Sequence, residues 1–192
     1  LSQIIKQSWT RCEQLGLRQS GQPDVKQLPR YDQELLNEEH KGLIDTTHSE
    51  VLPYYENILS NTQCLILLAD SHGNALNRWG KPRFLTKQNS PVFQKGVNWT
   101  ENHLGTNSIG TVLESGDAVQ VQRDEHYFRT YRFMIGSACP IYDANRKLIG
   151  VLDVSSDAYL PQAHTFGMVK LMAQGIENRS IVGAYQHMKL PK

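Results

Sequence analysis

Histidines and cysteines are the residues of this 192-residue chain that could bind a metal ion or act as nucleophiles. The three cysteines, Cys12, Cys64 and Cys139, lie far apart, which fits reduced thiols better than a disulfide framework. His126, preceded by Glu125 and followed by Cys139, is the one cluster that could form a metal or redox centre. A metal site needs three or four converging ligands, whereas adjacent residues of an extended segment point to opposite sides. We therefore expect no metal, and keep a metal or redox sensor using His126 and Cys139 as an alternative.

Motifs of the common enzyme classes are absent from the sequence. It contains no Gly-x-x-x-x-Gly-Lys-Ser/Thr loop, no Gly-x-Ser-x-Gly elbow and no Cys-x-x-Cys pair. The segment Gly105–Gly110 has the glycines of a phosphate-binding loop but no lysine to meet the phosphate charge. A methionine sulfoxide reductase is the least consistent activity, because the cysteines are not clustered for resolving chemistry. We predict no catalytic residues and no cofactor.

The stretch from Trp99 to Leu113 mixes glycines, hydroxyl and amide side chains with apolar residues. Such a mixture is typical of a capped helix packed on a sheet, and equally of a pocket wall for a small polar ligand. Capping is the favoured interpretation of Thr106 and Asn107. The small residues Gly136–Ala138 interrupt a predicted strand, which leaves volume for a ligand or an overlying helix. Asp153 lies in an apolar run, so it is either at a polar face or held by a partner.

Hydrophobic periodicity divides the chain into a helical region at 1–60, a strand-rich region at 61–160 and a helical region at 161–192. Consecutive strands joined by short turns predict an antiparallel sheet, and long helices at both ends predict an α+β fold. Ile44, Val51 and Ile58 are spaced by seven, which fits either a helix-pairing seam or one packed amphipathic helix. The predicted helices cover residues near 4–15, 32–60 (capped by Asp32, kinked at Pro53), 106–114 and 161–188; the predicted strands cover 64–69, 75–79, 118–122, 133–142 and 148–155.

Charge and hydropathy exclude several classes of partner. The net charge is +1 without a basic run, which disfavours non-specific nucleic-acid binding by this chain. No apolar run approaches membrane-spanning length, and the first residues lack the order of a signal peptide. We expect a cytoplasmic protein without a membrane partner. Because the chain starts with Leu1 and stops within a helical pattern, we expect a fragment of a longer protein.

Several motifs, in this order, resemble the N-terminal GAF sensor domain of bacterial sigma-54-dependent activators that control acetoin and glycerol/dihydroxyacetone catabolism. The resemblance extends over nearly the whole chain. The motifs are Ser8-Trp9-x-Arg11-Cys12 with Gly16-Leu17, Trp99-x-Glu101, Gly105-Thr-Asn-x-Ile-Gly-Thr111, Glu125-His126, Ala138-x-Pro140-Ile141 and Leu148-Ile-Gly-Val-Leu-Asp153.

This resemblance implies a central antiparallel sheet flanked by helices, with a small-molecule pocket between the sheet and a loop–helix cover. It implies an effector-sensing regulatory domain of a transcriptional regulator, taking a diol, hydroxyketone or short alcohol. It further implies a homodimer through the terminal helices, and contact with DNA and sigma-54 RNA polymerase only through ATPase and DNA-binding domains absent from this chain. The residues expected to line the pocket are Trp99, Asn107, Ile109, His126, Phe128, Ser137 and Cys139.

Departures from the family's pattern bear on the ligand. Cys139 and Ser108 stand where the family usually has alanine, so the cavity and its effector would differ if Cys139 and Ser137 face it. The turn residues Asn145 and Arg146 replace a frequent glycine, which concerns turn geometry. The cyclic-nucleotide signature and the bilin-attachment cysteine are both missing. A GAF-like module that dimerises or binds a protein, without any ligand, is the other alternative.

Overall fold

The computed structural model describes residues 1–57, 63–157 and 164–189 and has the α+β fold that the sequence predicts. No helix in these ranges combines the length and apolar character needed to cross a bilayer. The helices are α1 (Gln3–Gln14), α2 (Arg30–Glu39), α3 (Lys41–Asn57), α4 (Glu101–Leu104), α5 (Ser108–Ser115) and α6 (Thr165–Lys189); the strands are β1 (Leu65–Asp70), β2 (Ala75–Trp79), β3 (Val119–Gln122), β4 (Met134–Tyr142) and β5 (Leu148–Asp157).

The five strands form one sheet in the order β2-β1-β5-β4-β3. All neighbouring pairs are antiparallel, as predicted. The two hairpins that the sequence indicates, β1–β2 and β4–β5, are both present. β5 occupies the centre of the sheet because it pairs with β1 on one side and β4 on the other.

The β4–β5 turn is stabilised by the side chain of Asp143. Its Oδ1 accepts hydrogen bonds from the backbone N–H groups of Asn145 and Lys147, both at 2.9 Å. Arg146 has a φ of 61°, in the left-handed region that favours glycine. The turn therefore retains the backbone shape that a glycine would provide, with Asp143 compensating for the strain at Arg146.

The sheet separates two apolar layers. On one face, called here the α5 face, the core includes residues of α1, α4, α5 and the loop before α4. On the other face, the α6 face, α3 and α6 pack against the strands. Alternation along β4 assigns its side chains, with Met134 and Ala138 on the α5 face and Cys139 and Ile141 on the α6 face.

The predicted helix at 32–60 is divided into α2 and α3, with His40 between them. Asp32 lies in the first turn of α2 rather than at its N-cap, which is Pro29. Pro53 lies inside α3 without ending it. Val51 is fully buried in the α6-face core, so the apolar spacing in this region serves packing within the chain. Ile58, the third residue of the predicted seam, lies outside the described residues.

Helix α5 approaches the sheet closely at Gly136 of β4. A Cβ atom on Gly136 would lie 3.0 Å from the Cβ of Ser108, and still closer to the Ser108 hydroxyl. Real Cβ atoms rarely come so near another atom. The volume left by the small residues of β4 therefore accommodates an overlying helix, one of the two alternatives considered from the sequence.

We expect Gly136→Ala to lower the free energy of unfolding by about 1–3 kcal/mol, since the added methyl group forces α5 away from β4. Chemical denaturation followed by circular dichroism measures this change. Gly42→Ala in α3 is the matched control, because a Cβ there meets nothing within 4 Å. A helical Gly→Ala change is neutral or stabilising by up to about 1 kcal/mol. Equal stabilities of the two variants would contradict the close contact.

Candidate functional site

Glu101, at the start of α4, is a buried carboxylate with only 3% of its surface exposed. The guanidinium of Arg11 binds both carboxylate oxygens, through Nε at 2.6 Å and Nη2 at 3.2 Å. The hydroxyl groups of Ser8 and Thr111 donate to Glu101 Oε2, the latter at 3.1 Å. This set of groups, called the Glu101 cluster, fixes α1 to both α4 and α5 by satisfying a charge that would otherwise be costly to bury.

Thr106 extends the Glu101 cluster towards the end of α1. Its hydroxyl lies 2.6 Å from Ser8 Oγ and 3.5 Å from Cys12 Sγ. Burial raises the pKa of the Cys12 thiol. Because the thiolate is the nucleophilic form, Cys12 has a structural role here.

Asn107 is the N-cap of α5, which confirms the capping interpretation for this residue. Thr106 does not cap the helix, because its hydroxyl bonds Ser8 and Cys12 of α1 instead. Its Oδ1 accepts a hydrogen bond from Gly110 N at 2.9 Å. Its Nδ2 donates to the carbonyl oxygens of Trp99, at 2.8 Å, and Gly105, at 2.9 Å. The side-chain amide is thus fully engaged in holding the loop before α5.

Asp153 of β5 lies directly under α5 and is 1% exposed. The hydroxyl of Ser108 donates to its Oδ1 and that of Ser155 to its Oδ2, each at 2.6 Å. Burial raises the pKa of Asp153 to about 7, although both hydroxyl groups favour the charged form. Two serine hydroxyl groups therefore provide the partner that the sequence leads us to expect for Asp153. The charge of Asp153 changes near neutral pH.

His126 has one unpaired ring nitrogen in the protein interior. Its Nδ1 lies 3.0 Å from Arg123 O and, facing a carbonyl, carries the proton. Burial lowers the pKa of His126 to about 4, so the ring is neutral at physiological pH. Nε2 is then a bare acceptor, and no described residue provides it with a donor.

Within the described ranges, Trp99 has an unpaired buried donor, whereas His126 has an unpaired buried acceptor. Trp99 is 2% exposed, and its Nε1–H has no acceptor among the described residues. An unpaired buried polar group costs about 1–3 kcal/mol, so such groups call for a physical cause. Thr47 and Ser156 also carry unpaired buried hydroxyl groups, but a hydroxyl can rotate to donate or accept.

A chain of contacts connects Trp99 to the neighbourhood of His126. Trp99 O is bound by Asn107, which also binds Gly105. A Cβ on Gly105 would meet the Phe128 ring and the Cβ of Tyr127, the residue after His126. These contacts connect Trp99 to Tyr127 and Phe128, the two residues that follow His126.

The seven residues predicted to line one pocket lie on both faces of the sheet. Ser137 accepts a hydrogen bond from Gln120 Nε2 at 2.9 Å, and the alternation of β4 places it with Cys139. Cys139 packs against the α6-face core, where burial raises its pKa to about 11. Trp99, Ile109 and Phe128 belong to the α5-face core, and Asn107 caps α5. His126 lies between Glu125, whose carbonyl is bound by Trp9 of α1, and Tyr127 on the same side, whereas Ser137 and Cys139 lie on the α6 face.

This division corrects two expectations. Cys139 and Ser137 do not face the space under α5, so they cannot alter a cavity there. His126 and Cys139 are separated by the sheet and cannot bind one metal ion, and the described ranges contain no cluster of three potential metal ligands. Side chains of α5 occupy the space beneath it, since Ser108 reaches Asp153 and Ile109 is fully buried.

The residues that sequence reasoning left without a role are Glu101 and its partners. Ser8, Arg11 and Thr111 occur within the motifs that carry the family resemblance, but the motifs alone do not pair residues so distant along the chain. The available signal was charge, since Arg11 and Glu101 have opposite charges and each lies two residues after a tryptophan, Trp9 and Trp99. A paired buried carboxylate is the physical reason for that pattern.

We expect the contribution of Asp153 to stability to fall as pH rises from about 4 to 7, because native Asp153 keeps its proton to about pH 7 and the unfolded chain does not. His126, whose pKa burial lowers to about 4, contributes in the opposite sense, so the effect of Asp153 is measured as the difference between a variant and wild type. The slope contributed by one such group reaches about 1.4 kcal/mol per pH unit. Asp153→Asn mimics the protonated acid, so its stability relative to wild type should increase across this window. Urea unfolding at several pH values measures the difference.

The exposed Asp45, which pairs with Lys41 on α3, provides the control for the pH experiment. Asp45→Asn should follow the pH profile of the wild-type domain, since its carboxylate is solvated in both states. Parallel profiles for Asp153→Asn and wild type would show that Asp153 does not titrate in this range.

Several curated relatives of this chain are transcriptional regulators. The acetoin dehydrogenase operon transcriptional activator AcoR of Bacillus subtilis is 31% identical over 180 residues, which is 92% of this chain and 29% of that protein. The acetoin catabolism regulatory protein of Cupriavidus necator is 28% identical over 192 residues, covering 95% of this chain and 28% of that protein. The chain thus spans less than a third of the length of these relatives.

The fold has a solved counterpart in the Escherichia coli DhaR(N)–DhaL complex, with a TM-score of 0.91 at 19% identity over 97% of this chain and 63% of the other. Over residues 2–178 the sequence matches the family described as MimR, N-terminal domain. That match covers most of the described elements, including both halves of the Glu101 cluster. The chain therefore belongs to the family of MimR N-terminal domains, the regulatory part of transcriptional activators.

Proposed function

We propose that this domain senses a small neutral metabolite of the hydroxyketone or diol class and relays its presence to the rest of a cytoplasmic transcriptional activator. The names of the AcoR and Cupriavidus relatives, both regulators of acetoin metabolism, support this class of effector. The contact with DNA and sigma-54 RNA polymerase would belong to other domains. Regulation rather than catalysis is consistent with relatives that are regulators.

The observation that carries the proposal is the pair of unpaired buried groups on the α5 face. Trp99 Nε1–H is a donor without an acceptor, and neutral His126 Nε2 is an acceptor without a donor, among the described residues. An α-hydroxyketone has a carbonyl that accepts and a hydroxyl that donates, so one molecule complements both groups. A charged ligand is disfavoured, since neither residue offers a charge at neutral pH.

Binding at this place requires the cover to move, because side chains of α5 occupy the space beneath it. The cover consists of the loop before α5 together with α5 itself, attached to α1 through the Glu101 cluster. A ligand that binds the opened arrangement shifts the population towards it, by no more than its difference in affinity for the two states. The terminal helices α1 and α6 would pass this shift onward, with a homodimer formed through them.

We expect acetoin and 2,3-butanediol to raise the melting temperature of the domain, since a ligand at a hundredfold excess over its Kd adds about 2.7 kcal/mol. Acetoin should bind more tightly than 2-butanone, which has the carbonyl but no hydroxyl. Trp99→Phe should weaken acetoin binding by about tenfold, because it removes the indole donor. Thermal shift detects binding, and calorimetric titration gives the Kd values.

Trp79→Phe is the matched control for the ligand experiment. Trp79 lies in the α6-face core, where its Nε1–H donates to His48 Nδ1 at 2.9 Å. Its replacement should leave acetoin affinity unchanged. The proposal fails if acetoin, butanediol and dihydroxyacetone all leave the melting temperature unchanged at concentrations on the order of 10 mM. Equal weakening by both substitutions would remove Trp99 as the ligand's donor.

A protein-binding module is the second candidate function. The specific observation in its favour is the likeness to the DhaR(N)–DhaL complex, in which a domain of this fold is bound to a protein. Exposed apolar side chains of α6 offer surface for a partner or a second copy of the chain; they are Leu171, Ile181 and Val182. Under this alternative the unpaired groups of Trp99 and His126 have no ligand, and the metabolites above have no effect.

A further inference from the structure

A cavity of about 360 Å³ opens at the rim of the α5 face, outside the space under α5. It lies between the connection from α1 to α2, the loop before α4 and the segment before β4. Its volume falls at the small end of the range found for small-molecule sites. None of the seven residues that the sequence predicts to line a ligand pocket lines this cavity.

The lining of this rim cavity is uncharged and partly apolar. Pro23, Pro91, Val92 and Phe133 form apolar walls, while uncharged polar side chains complete the rim. Asn89 is already engaged, since it donates to Phe84 O at 2.8 Å and accepts from Thr86 N at 2.7 Å. A charged ligand would lose hydration here without gaining an ionic partner, so the lining favours a neutral molecule.

Tyr131 supplies the polar group that distinguishes this cavity from a surface irregularity. The residue is only 5% exposed, and its ring packs edge-on against the Phe128 ring, with 6.5 Å between the ring centroids. Its side chain lines the cavity. Among the described residues its hydroxyl has no hydrogen-bond partner. Burial raises the pKa of Tyr131, so the phenol stays protonated and remains a donor.

We propose that the rim cavity is a second small-molecule site, which takes a neutral, ring-containing carbonyl compound whose oxygen accepts a hydrogen bond from the Tyr131 hydroxyl. The flat faces of Pro23, Pro91 and Phe133 suit a flat apolar ring. The site is separate from the acetoin-type site proposed above, and neither depends on the other.

The ligand bound there would connect parts of the chain that are distant in sequence. Residues 24–28 already run beside the loop before α4, with Asn98 N donating to Lys26 O and Leu28 N to Gly96 O, both at 2.9 Å. A molecule between Pro23 and Phe133 would attach this connection to β4 as well. Occupancy of the site should therefore stabilise the docking of the α1–α2 connection on the core.

The test uses acetophenone as probe and ethylbenzene, which has the ring but no acceptor, as its matched partner. In ¹H–¹⁵N spectra of the whole chain, acetophenone should shift amide signals of residues 22–25, 86–92 and 130–133. Tyr131→Phe should weaken acetophenone binding by about fivefold while leaving that of ethylbenzene unchanged.

Two control variants distinguish binding in the rim cavity from binding elsewhere on the domain. Tyr31→Phe, at a residue of α2 that is 69% exposed, should keep wild-type affinity for acetophenone. Trp99→Phe should also keep it, whatever that variant does to acetoin binding. The inference is overturned if millimolar acetophenone leaves the three segments unshifted, or if Tyr131→Phe binds acetophenone as wild type does.

Discussion

The burial of one carboxylate, that of Glu101, governs how the α5 face is assembled. A carboxylate removed from water is tolerated only when its charge and its lone pairs are satisfied. Arg11 provides the charge, and the hydroxyl groups of Ser8 and Thr111 provide further donors. Because Arg11 and Ser8 lie on α1, the first helix must dock for the cover to form. The N-terminal helix is thus a structural part of the domain core rather than an appendage.

Another buried carboxylate, Asp153, is held without a cation among the described residues. Two serine hydroxyl groups are its partners, and burial raises its pKa to about 7. Ser108 at the start of α5 binds Asp153, whereas Thr111, one turn later, binds Glu101. The short helix is therefore attached to the sheet through one acid and to α1 through the other. Of these attachments, the one through Asp153 changes with protonation near neutrality.

The architecture was predictable because local signals agreed with the global fold. Alternating strands with short turns predicted the antiparallel sheet, and the turn at 143–147 predicted the central hairpin. Asn107, as a capping residue, predicted the start of α5. The break at His40 was not predictable, since the residues around it have good helical spacing and since Gly42, the nearest glycine, lies inside α3 rather than between the helices. The ends of elements differ from the predictions by a few residues, as expected where fraying and capping compete.

The candidate site was harder to predict, because burial and pairing depend on contacts between distant residues. Strand alternation alone shows that Ser137 and Cys139 share a face. Which face meets α5 depends on Gly136, whose missing side chain admits Ser108. The division of the predicted pocket residues between two faces therefore follows from one glycine. Likewise, the unpaired atoms of Trp99 and His126 are visible only once the partners of every neighbour are known.

The sheet packs against α5 on one face and against the long helix α6 on the other, which gives the proposed signal a direct route. In β5, Asp153 contacts α5, while its neighbours Leu152 and Val154 are fully buried against the layer that contains α6. In β4, Gly136 and Ala138 face α5, whereas Cys139 packs towards α6. Since the interior is close-packed, a displacement of these strands by a moving cover is transmitted to the opposite layer rather than absorbed. The proposed relay therefore needs no contact between α5 and α6, because the two central strands already contact both.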